Sequence, residues 1–82
     1  MSALSRVRVF AGAAEAVGGS EFSLQVDSIG ALLAELNPST DAHVADVLAR
    51  CSFLVDGVRT SDAEARIAPG ASVDVLPPFA GG

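Results

Sequence analysis

The sequence predicts an α+β fold in which a mixed sheet of four or five strands packs on one main helix. Three observations predict it. Two segments of alternating apolar and polar residues lie near the N-terminus, which indicates a pair of strands. One long apolar stripe at helical spacing follows them. Short alternating segments return in the second half of the chain and end in a last strand at Val73–Leu76.

The first third of the chain predicts two strands joined by a glycine-containing loop. In the first strand, Val7 and Val9 alternate with Arg6, Arg8 and Phe10, so one face is apolar and the other carries the arginines. The second strand alternates in the same way, with its apolar residues facing inward. In chain order, the predicted segments are the strand Ser5–Phe10, the loop Ala11–Ser20 with a short helical turn at 13–17, and the strand Glu21–Val26.

The middle of the chain predicts the main helix and a shorter second helix. The main stripe consists of apolar residues three and four positions apart: Ile29, Leu32, Leu33 and Leu36. Ser28 is the predicted N-cap, because its hydroxyl can accept a hydrogen bond from a free N–H of the first turn. A second stripe, capped by Thr40 or Asp41, has the same spacing and consists of Val44, Val47, Leu48 and Cys51.

The last third predicts three short strands joined by turns. Asp56-Gly57 predicts a two-residue hairpin turn, because both positions tolerate positive φ. Ser61–Ile67 is predicted to contain a single helical turn, and Pro69-Gly70 turns the chain into the last strand. The three strands are Ser52–Val55, Val58–Thr60 and Val73–Leu76.

A β-grasp fold, in which the sheet curls round the main helix, accommodates all of these elements. The first and last strands then lie parallel at the centre, joined through the helix by a crossover connection. A ferredoxin-like fold is the alternative, but it needs a second long helix, and the segment 41–51 is barely long enough. We divide the chain into a β-grasp domain at 1–76 and a tail at 77–82.

Composition restricts the classes of function. The 82 residues suffice for one domain, and ten acidic residues against five arginines give a formal net charge of −5. This balance disfavours a nucleic-acid binder and favours partners with a basic face. No apolar run reaches the length of a transmembrane helix, and the N-terminus does not have the pattern of a signal peptide. We therefore expect a cytoplasmic protein that binds neither membranes nor nucleic acid.

The sequence contains no recognisable catalytic or metal-binding constellation. Cys51 and His43 are the single cysteine and histidine, so neither has partners at the spacing of a metal site or a catalytic triad. Cys51 precedes an apolar strand, which predicts a buried and unreactive thiol. His43 is predicted to lie on a helix face. We expect no metal and no bound cofactor.

The most informative segment is the C-terminal sequence LPPFAGG at 76–82. Its two prolines stop the last strand, because proline has no N–H for the ladder. The residues beyond Leu76 can extend roughly 20 Å, far enough to enter another protein's active site. Gly81 and Gly82 have no side chains, so we expect a flexible tail whose Ala80 and Gly81 thread a narrow channel.

Apolar residues that face away from the main helix predict a partner-binding surface. Phe10, Leu54 and Leu76 take outward positions, because their neighbours in the strands point inward. Pro78 and Phe79 extend this surface along the tail. Exposed apolar residues clustered near the start of the tail are typical of a docking site. Short loops that cover these residues are the alternative.

The tail PPFAGG and the opening RVRVFAGAAEAVG resemble the MoaD/ThiS family of ubiquitin-like sulfur carriers, and within it the small subunits of molybdopterin synthase. The resemblance spans nearly the whole chain. It implies a β-grasp fold and a chain that is not an enzyme by itself, with the catalytic pocket on a partner subunit. It also implies that Gly82 passes through a glycyl-adenylate to a 1-thioglycine thiocarboxylate, which donates sulfur to cyclic pyranopterin monophosphate.

The resemblance implies three partners: an E1-like adenylyltransferase of the MoeB type, a sulfurtransferase, and a large synthase subunit of the MoaE type. Two positions depart from the family pattern, Phe79 where valine is frequent and Asp74 where an apolar residue is common. Sulfur carriers for thiazole or cysteine biosynthesis share the tail chemistry and remain alternatives, although the VRVFA opening and the double proline favour the molybdopterin branch. A protein-conjugating ubiquitin-like modifier is a further alternative, but the absence of lysine suits a carrier better than a chain-forming modifier.

Overall fold

A computed structural model describes residues 3–78, and these residues form a five-stranded mixed sheet with three helices. In chain order the elements are β1 (Ser5–Val9), α1 (Ala11–Val17), β2 (Glu21–Leu24), α2 (Ile29–Leu36), α3 (Ala42–Ala49), β3 (Ser52–Val55), β4 (Val58–Thr60) and β5 (Ser72–Leu76). The strand order in the sheet is β2-β1-β5-β3-β4. This architecture is the predicted β-grasp.

The centre of the sheet is a parallel pair formed by the first and last strands, as predicted. Val7 lies opposite Val73 and Val9 opposite Val75, and none of these four side chains is more than 2% exposed. The other neighbouring strands pair antiparallel. Since side chains alternate between the two faces of a strand, this register turns the buried valines of β1 and β5 toward one face of the sheet, the inner face, and Arg6, Arg8 and Asp74 toward the other, the outer face.

The main helix α2 begins and ends at the predicted residues. The Ser28 hydroxyl accepts a hydrogen bond from the N–H of Ala31 at 3.1 Å, which confirms the predicted N-cap. Ile29, Leu32 and Leu36 are buried against the sheet, whereas Leu33 is only half-buried. The sequence prediction placed Leu33 at the middle of the core stripe, and in the structure Leu32 takes that place.

Two further helices complete the cover of the inner face. Helix α1 runs over Ala11–Val17 and buries Ala13, so the helical turn predicted at 13–17 is present, but it starts two residues earlier and forms a seven-residue helix. Helix α3 buries Leu48 and is capped by Asp41, whose carboxylate accepts hydrogen bonds from two backbone N–H groups at 2.8 and 3.1 Å. The two short helices pack against each other.

The connections between strands agree only in part with those predicted from the sequence. The hairpin turn at Asp56-Gly57 is present, with φ of 50° and 85° at its two residues. Pro69-Gly70 forms the predicted turn, since Gly70 has φ of 80°. The segment 61–67 contains a turn and a single bridge to Ser28 rather than the predicted helical turn. Strand β2 ends at Leu24, two residues earlier than predicted.

We expect Leu32→Ala to lower the free energy of unfolding by about 2–5 kcal/mol, because it removes a fully buried side chain and leaves a cavity. Leu33→Ala makes the same chemical change at a half-buried position and should lower the free energy of unfolding by a smaller amount. Urea denaturation of the two variants measures both effects. Equal midpoints for the two variants would show that the packing of α2 is described incorrectly.

Ser5 provides a second stability test, because its side chain is 1% exposed and its hydroxyl oxygen has no hydrogen-bond partner. A buried polar group without a partner costs roughly 1–3 kcal/mol of desolvation. Ser5→Ala should therefore raise the free energy of unfolding, whereas Ser23→Ala on the exposed face should leave it unchanged. A destabilised Ser5→Ala protein in urea denaturation would mean that the hydroxyl has a partner in solution.

Candidate docking surface

The central strand β5 determines where the predicted tail starts. It ends at Leu76, after which Pro77 is half-buried and Pro78 exposed. Four of the predicted site residues lie outside the described residues: Phe79, Ala80, Gly81 and Gly82. Their roles, and the division into a domain at 1–76 and a tail at 77–82, stay predictions. The structure places the start of this tail beside the end of β1.

Phe10 and Leu76 lie together at this end of the sheet. The backbone N–H of Phe10 donates to the carbonyl of Val75 at 3.1 Å, which continues the parallel pairing past the end of β1. Phe10 is 38% exposed, and Leu76, half-buried, lies opposite Ser52 of β3. The two predicted partner-binding residues therefore border the start of the tail on the outer face.

A strained residue fixes the position of Phe10. Ala11 has φ of 51°, a left-handed conformation that costs an L-residue about 1–2 kcal/mol. This bend lets the Phe10 carbonyl accept hydrogen bonds from the N–H groups of Ala13 and Ala14 at 3.2 and 3.4 Å, so α1 starts immediately after the strand. The sequence gives no signal for it, because alanine rarely takes positive φ.

A row of five residues crosses the outer face next to Leu76, on the side away from the tail. The register of the four strand pairs places Glu21, Arg8, Asp74, Leu54 and Arg59 side by side on successive strands. Four of these five residues are charged, and we call them, with Leu54, the cross-strand row. Leu54 is also a diagonal neighbour of Leu76, at the spacing where side chains still touch across strands. The three apolar residues predicted to bind a partner thus form one small surface bordered by charges.

Arg8 and Asp74 form the strongest polar contact of the cross-strand row. The Arg8 guanidinium donates two hydrogen bonds to the Asp74 carboxylate at 3.0 and 3.1 Å, and it lies 5.7 Å from the centre of the Phe10 ring. The hydrogen bond to Asp74 and the charge of that carboxylate raise the pKa of Arg8 above its ordinary value. Asp74 is one of the two positions at which the sequence analysis expected a departure from the resembled family, and Arg8 supplies its counter-charge.

The remaining candidate residues do not form a reactive site. Cys51 is 4% exposed, its thiol donates to the Val47 carbonyl at 3.3 Å, and burial raises the pKa of that thiol. His43 is exposed on α3. Residues 3–78 contain no cluster of histidine, cysteine or acidic side chains that would hold a metal ion. Within the same residues no helix is long and apolar enough to cross a bilayer.

Comparison with known proteins gives one family and several similar structures. The ThiS family model matches residues 7–82. The crystal structure of small archaeal modifier protein 1 from Haloferax volcanii is similar, with a TM-score of 0.74 and 22% identity over 96% of this chain and 99% of the other. The solution structure of the Methanosarcina acetivorans small archaeal modifier protein 1 gives a TM-score of 0.74 and 20% identity over 100% and 99%.

A third solution structure, of the Haloferax volcanii HVO 2177 protein, has a TM-score of 0.72 and 24% identity over 99% of this chain and 88% of the other. No curated protein sequence matches the chain. Identities in this range establish a common fold, and they do not carry over a partner or a substrate.

The burial of Cys51 generates a chemical prediction. A raised pKa and a closed environment both lower the amount of accessible thiolate, so the native protein should react with a thiol reagent far more slowly at neutral pH than the protein unfolded in urea. Time courses with Ellman's reagent measure both rates on the same sample. Similar rates in the two states would contradict the buried position of Cys51.

Proposed function

Because the chain belongs to the ThiS family, we propose that it is a sulfur carrier protein whose Gly82 carries sulfur as a thiocarboxylate. The observation that carries the proposal is the family match through residue 82, which includes the final Gly81-Gly82. The position of β5 supports it, since the last strand of the domain leads directly into the two prolines and the glycine end.

The chemistry needs an activated carboxyl group, because a carboxylate is a poor electrophile. An oxygen of the Gly82 carboxylate attacks the α-phosphorus of ATP, pyrophosphate leaves, and a glycyl-adenylate forms. Hydrosulfide then attacks the acyl carbon, AMP leaves with the electron pair of the broken C–O bond, and the proton goes to solvent. The product is a 1-thioglycine at Gly82, and its sulfur is nucleophilic. Glycines at both final positions leave this acyl carbon unhindered.

In the specific form of the proposal, the thiocarboxylate donates sulfur to cyclic pyranopterin monophosphate in the synthesis of molybdopterin. An E1-like adenylyltransferase of the MoeB type activates Gly82, a sulfurtransferase supplies the sulfur, and a large subunit of the MoaE type holds the substrate. The chain is then not an enzyme by itself, and it binds no cofactor beyond the transient groups at Gly82. The proposal includes a cytoplasmic location for the chain.

Under this proposal each part of the described surface has a role in presenting the tail. Pro77 and Pro78 hold the exit from β5 stiff. Phe10, Leu54 and Leu76 supply apolar contact area beside that exit, with Phe79 as the aromatic anchor on the tail itself. Ala80 and Gly81 pass through the channel of the partner, so that only Gly82 reaches the reacting centre.

A second candidate function is protein conjugation. Two of the similar structures are named small archaeal modifier proteins, and a modifier uses the same adenylate but transfers its glycine to a lysine amine. The sequence has no lysine, so no side-chain amine of this chain can accept another copy. A conjugating role would therefore give single attachments rather than chains through lysine. Carriers for thiazole or cysteine biosynthesis share the first two steps and differ only in the acceptor.

Removal of Gly82 tests the proposal directly. We expect the protein lacking Gly82 to keep its urea midpoint, because the residue lies beyond the last strand of the domain. It should fail to gain the roughly 16 Da that oxygen-to-sulfur exchange adds to the full chain when both are incubated with an E1-like adenylyltransferase, ATP and a sulfur source. Intact-mass spectrometry measures the gain.

The same mass spectra distinguish the candidate functions. A carrier shows the sulfur-dependent gain and then loses it when the large synthase subunit and the pyranopterin precursor are added. A modifier instead gives species of higher mass in which Gly82 is joined to a lysine of another protein. A full-length chain that gains no mass and forms no conjugate with the adenylyltransferase of its own organism would contradict the proposed function.

A further inference from the structure

The Asp56-Gly57 turn between β3 and β4 carries a reactive pair of residues in addition to its role in the hairpin. A main-chain nitrogen can attack the side-chain carboxyl carbon of the aspartate before it, and this reaction is fastest when the attacking residue has no side chain to crowd the five-membered ring that forms. Of the six aspartates in the sequence, only Asp56 is followed by glycine. The single asparagine, Asn37, precedes a proline, which has no N–H for the corresponding reaction.

The surroundings of the turn leave room for this ring. Asp56 and Gly57 are both exposed, and beyond the chain neighbours of Gly57 nothing lies within 4 Å of the position that a Cβ atom would occupy there. Among residues 3–78 the Gly57 N–H donates no hydrogen bond, so the attacking nitrogen is accessible. Water, which must open the ring afterwards, reaches the same exposed atoms.

Two hydrogen bonds hold Asp56 against the first residue of β5. The Asp56 N–H donates to the Ser72 carbonyl at 2.8 Å, and the Asp56 carboxylate accepts from the Ser72 N–H at 2.9 Å. We call this pair of bonds the Ser72 clamp, and it continues the antiparallel pairing of β3 with β5 by one residue beyond Val55 and Val73. Ring closure turns the carboxyl group toward the Gly57 nitrogen, so it requires the clamp to open.

From this arrangement we propose that Asp56-Gly57 is a site of spontaneous isoaspartate formation and that the Ser72 clamp limits its rate in the folded chain. The Gly57 nitrogen bonds to the side-chain carboxyl carbon of Asp56, a C–O bond of that protonated carboxyl group breaks, and its OH leaves with the proton of the nitrogen as water. Water then adds to the former main-chain carbonyl carbon, the bond from that carbon to the nitrogen breaks, and the nitrogen takes back a proton. Gly57 is then joined through the side chain of Asp56, with no change in mass and no oxidant or reductant.

The modification changes the turn and its contact with the central strand. It lengthens the main chain of a two-residue turn by one methylene group and moves the carboxylate of Asp56 directly onto the main chain. Both bonds of the Ser72 clamp depend on the original arrangement, so the isoaspartyl form loses this contact at the start of β5, the central strand of the sheet. We therefore expect the chromatographically isolated isoaspartyl form to unfold at a lower urea concentration than the unmodified chain. Equal urea midpoints for the two forms would overturn the role of the clamp.

Incubation of the full chain at neutral pH for several weeks, folded in buffer and unfolded in guanidinium chloride, measures the rate in each state. Peptide mapping by mass spectrometry with electron-transfer fragmentation locates isoaspartate, and an isoaspartyl methyltransferase labels it. We expect isoaspartate at position 56 in both samples, forming at least about tenfold more slowly in the folded chain, because attack waits for local opening. Asp62, which is also exposed but precedes alanine, is the internal control and should accumulate far less. None of these steps involves Gly82, so the result is independent of the proposed function.

Two variants separate the effect of Gly57 from that of the Ser72 clamp. Gly57→Ala adds a methyl group beside the attacking nitrogen and should slow isoaspartate formation in the unfolded chain, where alanine is free of the strain that positive φ imposes in the folded turn.

Asp56→Asn keeps an oxygen that can accept from Ser72 and reacts through the same ring, losing ammonia and gaining water. The resulting gain of about 1 Da is followed by intact-mass spectrometry, and the folded variant should again react at least about tenfold more slowly than the unfolded one. No isoaspartate at position 56 in the folded chain by the end of the incubation, equal rates in the two states, or equal amounts at Asp62 would each overturn the proposal.

Discussion

The parallel pairing of β1 with β5 is the constraint on which the rest of the structure depends. It joins residues more than 60 positions apart, as in the pair Arg8 and Asp74, and so closes the whole chain between them into one loop. The fully buried valines of these two strands stabilise the closure by removing apolar area from water. The same pairing brings Phe10 beside the end of β5, so it builds the core on one face and the border of the tail on the other.

Much of the fold could be predicted because its signals are local. The stripe of α2, its Ser28 cap, the Asp56-Gly57 turn and the alternation of the strands are all recorded in neighbouring residues. The full extent of helix α1 was not predicted, because its segment AGAAEAV contains a glycine and mostly small residues and so has little apolar stripe. The helix is stabilised by tertiary burial of Ala13 and by the bend at Ala11, and neither is visible in a sequence window.

The candidate site also contains features that local sequence predicts and features that it does not. Alternation within single strands was enough to place Phe10, Leu54 and Leu76 on the face opposite α2. The cross-strand row was not predictable, because it depends on the register of four strand pairs, and a shift of one residue in any pair would move a charge to the core. Asp74 illustrates the difference, since the sequence alone does not show that Arg8 lies opposite it on the neighbouring strand.

The Arg8–Asp74 pair also affects any contact that the apolar surface makes. It lies on β1 and β5, beside Leu54 in the cross-strand row and close to the Phe10 ring, so a contact that covers these residues covers the pair as well. Each charge of the pair keeps its partner when the face is covered, whereas loss of one of them would leave the other unpaired in the contact, which is costly. The net charge of −5 averages over all faces and does not show this local compensation, because most of the acidic residues lie on the helices, loops and turns.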